Sequence, residues 1–592
     1  MLIVFVLCFL FCCFPGVLLL PLYACDERLQ RIIFVLFISL SFWVCCPWFI
    51  SEIGMRLGST AIVLQALFII VFFYVHRQSA RDKIKMFFSG TMKQIQLHHL
   101  FLVLVVAIQI APLLFITLPP GCDTSMHGYI TRLIINNNGI PHSYKPILPV
   151  NYFGSYSAGY HLLTAFFSGF EVSLLRYSIN LTTIVVYPLT LLGFVFLLRQ
   201  FFTEKVAIYT ALVYYGINRT FIPTVFWGGN PTILSVAFCL FGAGLMLYAI
   251  NSKSRLLLFC SSLCIAAIAL VHAIPAIILV YLLPIGYVIV FFRSSNRKWI
   301  LKNSGILLLL VILLLSPFLL HFRNENSPQL LLKIRNWQND MMHHQLNGNL
   351  IHDLPSAWVQ LLDRTGIPVF VISVISLLAI AFYKRFRTVL ISLLFTVVIY
   401  LMVLNSAYWI LPESALLYPE RVLFFMIICW SFPFGCLLTM LEEGKKEITL
   451  FNRKLKLQAI VLVLPIYLSF ENIVNQDLGL AMNKSIEFNR GTQNAIDWIN
   501  AKVEPGAMFI STYAGTGMWL PAFTNHPTLG CHLHFIHEVT HVLDSMRASN
   551  AATYYFVTHN DSLQHNDIIN RIDNKTKVFA NNEVQIYRDS IK

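Results

Sequence analysis

The chain repeatedly runs for about twenty residues with almost no charge, and nothing else limits its fold as severely. "LIVFVLCFLFCCFPGVLLLPLY" near the start and "LFLVLVVAIQIAPLLFITL" at 100–118 are two such runs. Each is long enough to cross the roughly 30 Å hydrocarbon core of a bilayer as a helix. Hydrophobic residues make up 57% of the chain and charged ones 12%, against about 25% charged in a soluble domain. Mean hydropathy is +0.70. These features exclude an ordinary soluble enzyme and indicate a polytopic membrane protein. The first run lacks a basic leader and a small-residue cleavage site, so it reads as a retained helix rather than a signal peptide.

Candidate spans fall at 3–22, 31–50, 58–76, 99–117, 176–198, 206–222, 231–250, 256–272, 274–292, 303–321, 367–383, 387–405, 421–441 and 457–473. The formal net charge of +14 suggests nucleic acid in a soluble protein, but in a membrane protein Lys and Arg gather in cytoplasmic loops. Here they cluster at Arg28/Arg31, Arg77–Lys93, Arg199/Lys205, Lys253/Arg255, Arg293–Lys302, Lys384–Arg387 and Lys445–Lys456. Counting spans between them puts every cluster on one side. About fourteen helices result, with no nucleic-acid partner expected. Three longer segments, 118–175, 322–366 and the tail from about 474, then share the opposite side. No internal repeat or low-complexity tract is present.

The first long segment holds two amphipathic stretches. "SMHGYITRLIINNNG" places Met126, Ile130, Leu133 and Ile134 on one helical face and stops at Gly139 before Pro141. "SAGYHLLTAFFSGF" is a second, too short to span. Both are expected to lie along the membrane surface. The tail changes character: "NRGTQNAIDWINAKVEPGAMFISTYAGTGMWLPAF" reads as helix, turn, strand and Gly-rich loop, and "ATYYFVTHND" as a further strand. The expected fold is therefore all-α and polytopic with a small C-terminal α/β domain. The division runs 1–98 for extra N-terminal helices, 99–473 for the transmembrane core and 474–592 for the extracytoplasmic domain. Most of the thirteen cysteines fall in apolar runs, where Cys acts as a small hydrophobe. Cys122 and Cys531 fall in the outer segments, and a bond between them would clamp the first loop to the tail.

Ionisable groups close to a membrane core are costly and mark substrate paths. On the long-loop side they are Asp123, His127, Arg132, His161, His272, Glu413, Glu420 and Arg421, with Asn230 after "FWGG". A carboxylate at Asp123 can take a proton from an acceptor hydroxyl as it attacks a sugar carbon. Arg421 offers a fixed fork for a phosphate leaving group. Plainer readings stand beside these: "DTSM" is a good helix N-cap, and Arg421 has Glu420 and Glu413 at hand for a salt bridge.

"PGCDTSMHG", "NNNGIPHSYKPILP" and "YFGSYSAGYHLLTAFF" resemble the first outer loop of the C-type (GT-C) glycosyltransferases. These are multi-span enzymes that use polyprenyl-phosphate-linked sugars. "YPERVLFF" and "AIDWINAKVEPGAMFISTYAGTGMWLPAFTNHP" fit the same pattern, the latter being similar to the outer domain of several members and of oligosaccharyltransferase catalytic subunits. The resemblance covers roughly 99–530. It implies that Asp123 matches the first-loop acidic residue, the usual catalytic base, and Arg421 a basic residue that contacts the lipid phosphate. His127, His161, His272, Glu413 and Glu420 would be the substrate-binding company. Two features depart from the family. Three spans precede the usual first one, and Thr124 stands where many relatives carry a second acid. That departure leaves a divalent cation, Mg or Mn, as an open addition, and no metal ligand is assigned.

Two rival functions compete. His537-Glu538-Val539-Thr540-His541 is an H-E-x-x-H, which on a helix turns two imidazoles to one side for zinc. The residues that follow, "VLDSMRASN", carry no further histidine as third ligand, and Ile536, Val539, Val542, Leu543 and Met546 form an ordinary buried stripe. A transporter or flippase of lipid-linked glycan would want broken helices and midplane charges. Pro188, Pro275 and Pro317 interrupt spans, but few charges lie mid-span. The reading is thus a membrane glycosyltransferase of the bacterial inner membrane. It would move sugar from a polyprenyl-phosphate donor to a glycan, lipid or protein acceptor outside.

Overall fold

The structure, a computed structural model, describes residues 12–75 apart from 24 and 26, 96–148 apart from 120, 153, 156–217, 224, 228–325 apart from 295, 367–381, 419–443, 447–450, 453–456, 488–511, 515–529, 552–558 and 574–589, with isolated positions at 463, 467 and 572. Apolar runs become helices because only a helix or a closed barrel satisfies every backbone N–H and C=O where water is absent. The helices ahead of the first long loop are α1 Phe14–Leu19, α2 Arg28–Glu52, α3 Leu57–Val75 and α4 Leu97–Phe115. Within that loop lie α5 Cys122–Asn137 and α6 Gly159–Phe167. Then come α7 Leu175–Leu198, α8 Glu204–Ile217, α9 Asn230–Ser252, α10 Arg255–Val271, α11 Ala273–Arg293, α12 Arg297–Glu325, α13 Ile367–Ala381 and α14 Pro419–Glu443. The expected spans at 387–405 and 457–473 lie outside the described residues apart from 463 and 467.

Among the described residues four helical stretches are long and apolar enough to cross a membrane by length and composition alone: α2, α9, and the stretches Val172–Leu198 and Arg297–Arg323 of α7 and α12. Helices α7, α9, α10 and α2 pack on one another at the centre. Helix α12 does the opposite, leaving Leu308 62% and Leu309 66% exposed. Such a stripe on a helix of this length needs lipid against it. The chain is an integral membrane protein.

Ion pairs sort the loops into two ends. Arg199 holds Glu27 through a bidentate contact, with Nε to Oε2 at 2.7 Å. Lys205 meets Glu442 at 3.2 Å, and His99 meets Glu204 at 3.5 Å. All six lie beside basic clusters that the charge pattern placed on one side. At the opposite end Glu52, closing α2, meets His321 near the end of α12 at 3.2 Å. The bundle therefore has a basic end and a long-loop end.

Helices α5 and α6 do not lie along a membrane surface as their apolar stripes suggest. All nine residues of α6 are buried, and along α5 the polar side is buried too: Ser125, His127, Thr131 and Arg132. The four apolar positions give one face its partner, and the rest of the chain supplies a partner for the other. For Arg132 that partner is the tail. There, α15 Arg490–Lys502 turns Thr492, Ala495, Ile496 and Ile499 inward. The strands β3 Met508–Ile510, β4 Thr528–Leu529, β5 Thr553–Thr558, β6 Thr576–Ala580 and β7 Val584–Arg588 form a sheet ordered β4-β3-β5-β7-β6. A separate hairpin pairs β1 Glu447–Leu450 with β2 Arg453–Lys456 at the basic-cluster loop. The β3 pairings with β4 and β5 are parallel, and those of β7 with β5 and β6 antiparallel.

A short turn at Thr516–Trp519 and helix α16 Leu520–Phe523 press onto α5. Gly128 allows this approach, since a Cβ there would stand 3.2 Å from Trp519 and 3.3 Å from Ala522. One apolar core runs without a break from the bundle through α5 into the tail. Arg132 completes the joint. Its guanidinium donates to the Pro521 carbonyl at 3.0 Å, and to the Thr524 carbonyl and the Asn525 side chain. Removing a buried guanidinium that donates to three acceptors leaves carbonyls without donors, at a cost of about 2–4 kcal/mol. Arg132→Ala is therefore expected to lower thermal stability in detergent and to open the tail to limited proteolysis while the spans stay protected. An unchanged melting point and cleavage pattern would show that the joint is held by apolar contact alone.

Candidate functional site

Asp123 lies half-buried in the first turn of α5, where the free N–H groups of a helix N-terminus favour negative charge. The chain enters this turn through Gly121 at φ 112°. Behind it sits Gly228, also left-handed at φ +106°. A Cβ on Gly228 would stand 2.6 Å from the Thr124 nitrogen and 2.7 Å from the Asp123 Cβ, closer than any real contact. The second of these residues thus seats against the first, 105 positions away in the chain by subtraction of their numbers. "FWGGN" carried a sign of this in its paired glycines before a span, but not of which turn they would meet.

One turn further along α5, and on the same face, His127 secures that seat. Its Nε2 stands 2.8 Å from the Gly228 carbonyl and its Nδ1 3.0 Å from His161 Nε2. The tautomers follow. A carbonyl only accepts, so His127 Nε2 carries a proton. Neutral His127 then accepts at Nδ1, so His161 donates from Nε2. His161 is fully buried, with the Ala158 carbonyl beside its ring. The Tyr156 hydroxyl stands 3.5 Å from His127 Nδ1.

His272 joins the group from the bundle. It is the single residue between α10 and α11, with extended backbone at φ −159° and ψ 130°, and its Nδ1 accepts the Ile274 N–H at 3.3 Å. Helix α6 is fastened above it, where Ser157 Oγ donates to the Ala269 carbonyl at 2.8 Å. Asn230 opens α9 and donates to Thr183 Oγ1 at 3.2 Å, with the Tyr160 hydroxyl 3.4 Å from the same atom. Three histidines and Asp123 are thus gathered at the long-loop end. Arg132, singled out with them, faces the tail instead. Both nitrogens of His127 and one of His161 are engaged in these contacts, so His127 has no lone pair left for a metal ion.

Glu420 and Arg421 fall in the first turn of α14, but their side chains lie outside the described residues, as do Glu413, Cys531 and the whole of His537–His541. The direction of α14 still places its first turn. Its last turn meets Lys205 at the start of α8 through Glu442, at the basic end. A helix of 25 residues spans about 37 Å, so its first turn belongs to the end that carries Asp123.

Residues 9–429 match the model of a family of unknown function, DUF6541, and the chain belongs to that family. No curated protein matches it. Among solved structures it is similar to ArnT from Cupriavidus metallidurans bound to undecaprenyl phosphate, with a TM-score of 0.53. The match covers 83% of this chain and 97% of ArnT at 12% identity. ArnT in its apo state matches over the same shares at a TM-score of 0.52. At that identity the likeness is one of fold.

Burial pushes the His161 imidazole well below its ordinary value of 6.5; His127 and His272 add to the shift and the Ala158 carbonyl opposes it. The unfolded chain takes up a proton near pH 6.5 that the folded chain refuses. Folding is therefore weakened by His161 as pH falls below that value, by up to about 1.4 kcal/mol per pH unit. Unfolding of wild type and His161→Asn compared at pH 7.5, 6.5 and 5.5 (roughly spanning the free imidazole range) should show the steeper acid loss in wild type. Equal slopes would mean that His161 is charged in the folded protein.

Proposed function

We propose that this member of an unassigned family transfers a sugar from a polyprenyl-phosphate donor to an acceptor at the long-loop end of its bundle. The observation that carries the proposal is the seat of Asp123, a half-buried carboxylate at a helix N-terminus backed by Gly228 and a histidine pair. The fold supports it, being shared with an ArnT whose crystal structure holds undecaprenyl phosphate.

In this scheme the acceptor hydroxyl approaches the anomeric carbon from the Asp123 side. As the new C–O bond forms, its proton passes to the Asp123 carboxylate. The bond between the anomeric carbon and the phosphate oxygen breaks, and the electron pair leaves with the polyprenyl phosphate. Arg421, whose turn α14 brings to this end, holds the phosphate through both donors of its fork. Glu413 and Glu420 orient Arg421 or the sugar hydroxyls. His127 acts on position: by holding the Gly228 carbonyl it fixes the turn against which Asp123 rests. No step in the scheme calls for a cation, though Mg or Mn at Asp123 is compatible with it.

The remaining assignments belong to the same proposal. Residues 1–98 would supply extra spans, 99–473 the catalytic membrane core and 474–592 an extracytoplasmic domain over the site. The membrane would be the bacterial inner membrane, with the basic end in the cytoplasm.

Reconstituted protein given radiolabelled polyprenyl-phosphate sugars and a membrane-derived acceptor extract tests the scheme. Asp123→Asn should lose at least about a hundredfold in transfer while eluting as a folded species, and Glu538→Gln should transfer as wild type does. Arg421→Gln should raise KM for the donor more than it lowers kcat. Transfer by Asp123→Asn at the wild-type rate would remove Asp123 as the base. Labelled donor crossing the bilayer without transfer would favour transport.

A further inference from the structure

At the basic end, a helix length away from Asp123, three metal-binding side chains converge that the proposed reaction does not use. His98 and His99 open α4, and Glu204 opens α8, which packs beside it. One imidazole nitrogen from each histidine and a carboxylate oxygen of Glu204 all lie within 4.8 Å of one another. The two rings are 4.2 Å apart at their centroids. His98 is buried, at 4% exposure, and its Nε2 is shut from solvent with no hydrogen-bond partner. An imidazole nitrogen is seldom buried unsatisfied without a reason.

We propose that His98, His99 and Glu204 bind one divalent transition-metal ion, Zn2+ by donor chemistry, that ties α4 to α8. Two imidazoles and one carboxylate suit zinc, cobalt or nickel; Mg2+ and Ca2+ want all-oxygen shells. Donors around a tetrahedral zinc at about 2.0–2.1 Å stand roughly 3.4 Å apart, so the three groups need close by little more than side-chain rotation. The side chains of His99 and Glu204 are 23% and 22% exposed, which leaves water a fourth position. Nearby cations are engaged by other carboxylates, Arg199 by Glu27 and Lys205 by Glu442. One adjustment accompanies binding. His99 Nδ1 accepts the Gln96 N–H at 3.2 Å, so its Nε2 carries the proton that faces Glu204. Metal at Nε2 moves that proton to Nδ1 and releases the exposed cap.

The site is independent of the transferase reading. The test uses full-length protein in detergent, in a His537→Ala/His541→Ala background that removes the H-E-x-x-H imidazoles. Zn2+ binding is followed by equilibrium dialysis with metal analysis, and Co2+ binding by its visible spectrum. The parent should bind one equivalent, showing tetrahedral cobalt bands without a thiolate charge-transfer band. His98→Ala and the near-isosteric Glu204→Gln should each weaken binding by at least about tenfold, and bound Zn2+ should raise the melting temperature of the parent alone. Failure of the parent to bind either ion overturns the proposal. So does Glu204→Gln binding as the parent does with an unchanged elution profile.

Discussion

Helix α5 is too polar to face lipid and too deeply buried to face water, and the long-loop end is built around meeting its hydrogen-bonding needs. Burying such groups without partners costs about 1–3 kcal/mol each in proteins. The partners come from everywhere in the chain. His127 reaches Gly228 ahead of α9 and His161 in α6, Arg132 reaches three groups in the tail, and Thr131 turns back to the His127 carbonyl. Because one helix collects all of these, the bundle, the second loop helix and the tail cannot shift independently of the turn that carries Asp123.

How much of this was legible follows from which force sets each feature. Helices such as Arg255–Val271 and Ala273–Arg293 are legible in the chain within a residue or two because apolar burial alone decides them. The sorting of Arg199 and Lys205 to one end was legible for a similar reason, since one charge rule governs the basic loops. The expected surface position of α5 and α6 failed where a second force entered. An apolar stripe shows one buried face, but the burial of His127 and Arg132 depends on residues up to 393 positions away, and no local pattern carries that. The histidines themselves were visible as candidates; that His127 and His161 bond to each other, and that Gly228 is the floor beneath Asp123, was not.

The tail shows the same division. Its strand and helix segments follow from alternation and capping, as with Asn489, whose side chain accepts the Thr492 N–H at 2.9 Å to start α15. Its docking does not follow from any of that. It rests on Gly128 leaving room for Trp519, and on a backbone bond from Thr528 to the Ile147 carbonyl at 3.0 Å that ties β4 to the first loop.

These two joints bear on what an acceptor would meet. A carboxylate fixed at the rim of a bilayer can serve as base only if the hydroxyl it deprotonates is held still against it, since positioning supplies much of the rate in such transfers. Arg132 and His127 lie five residues apart on α5, one turned to the tail and the other to the Asp123 turn. Under the proposed reaction, a tail that moved to admit an acceptor would pull on the helix that carries Asp123. If that reaction holds, the tail would act on its geometry as well as on access to it, with α5 as the element that couples the two.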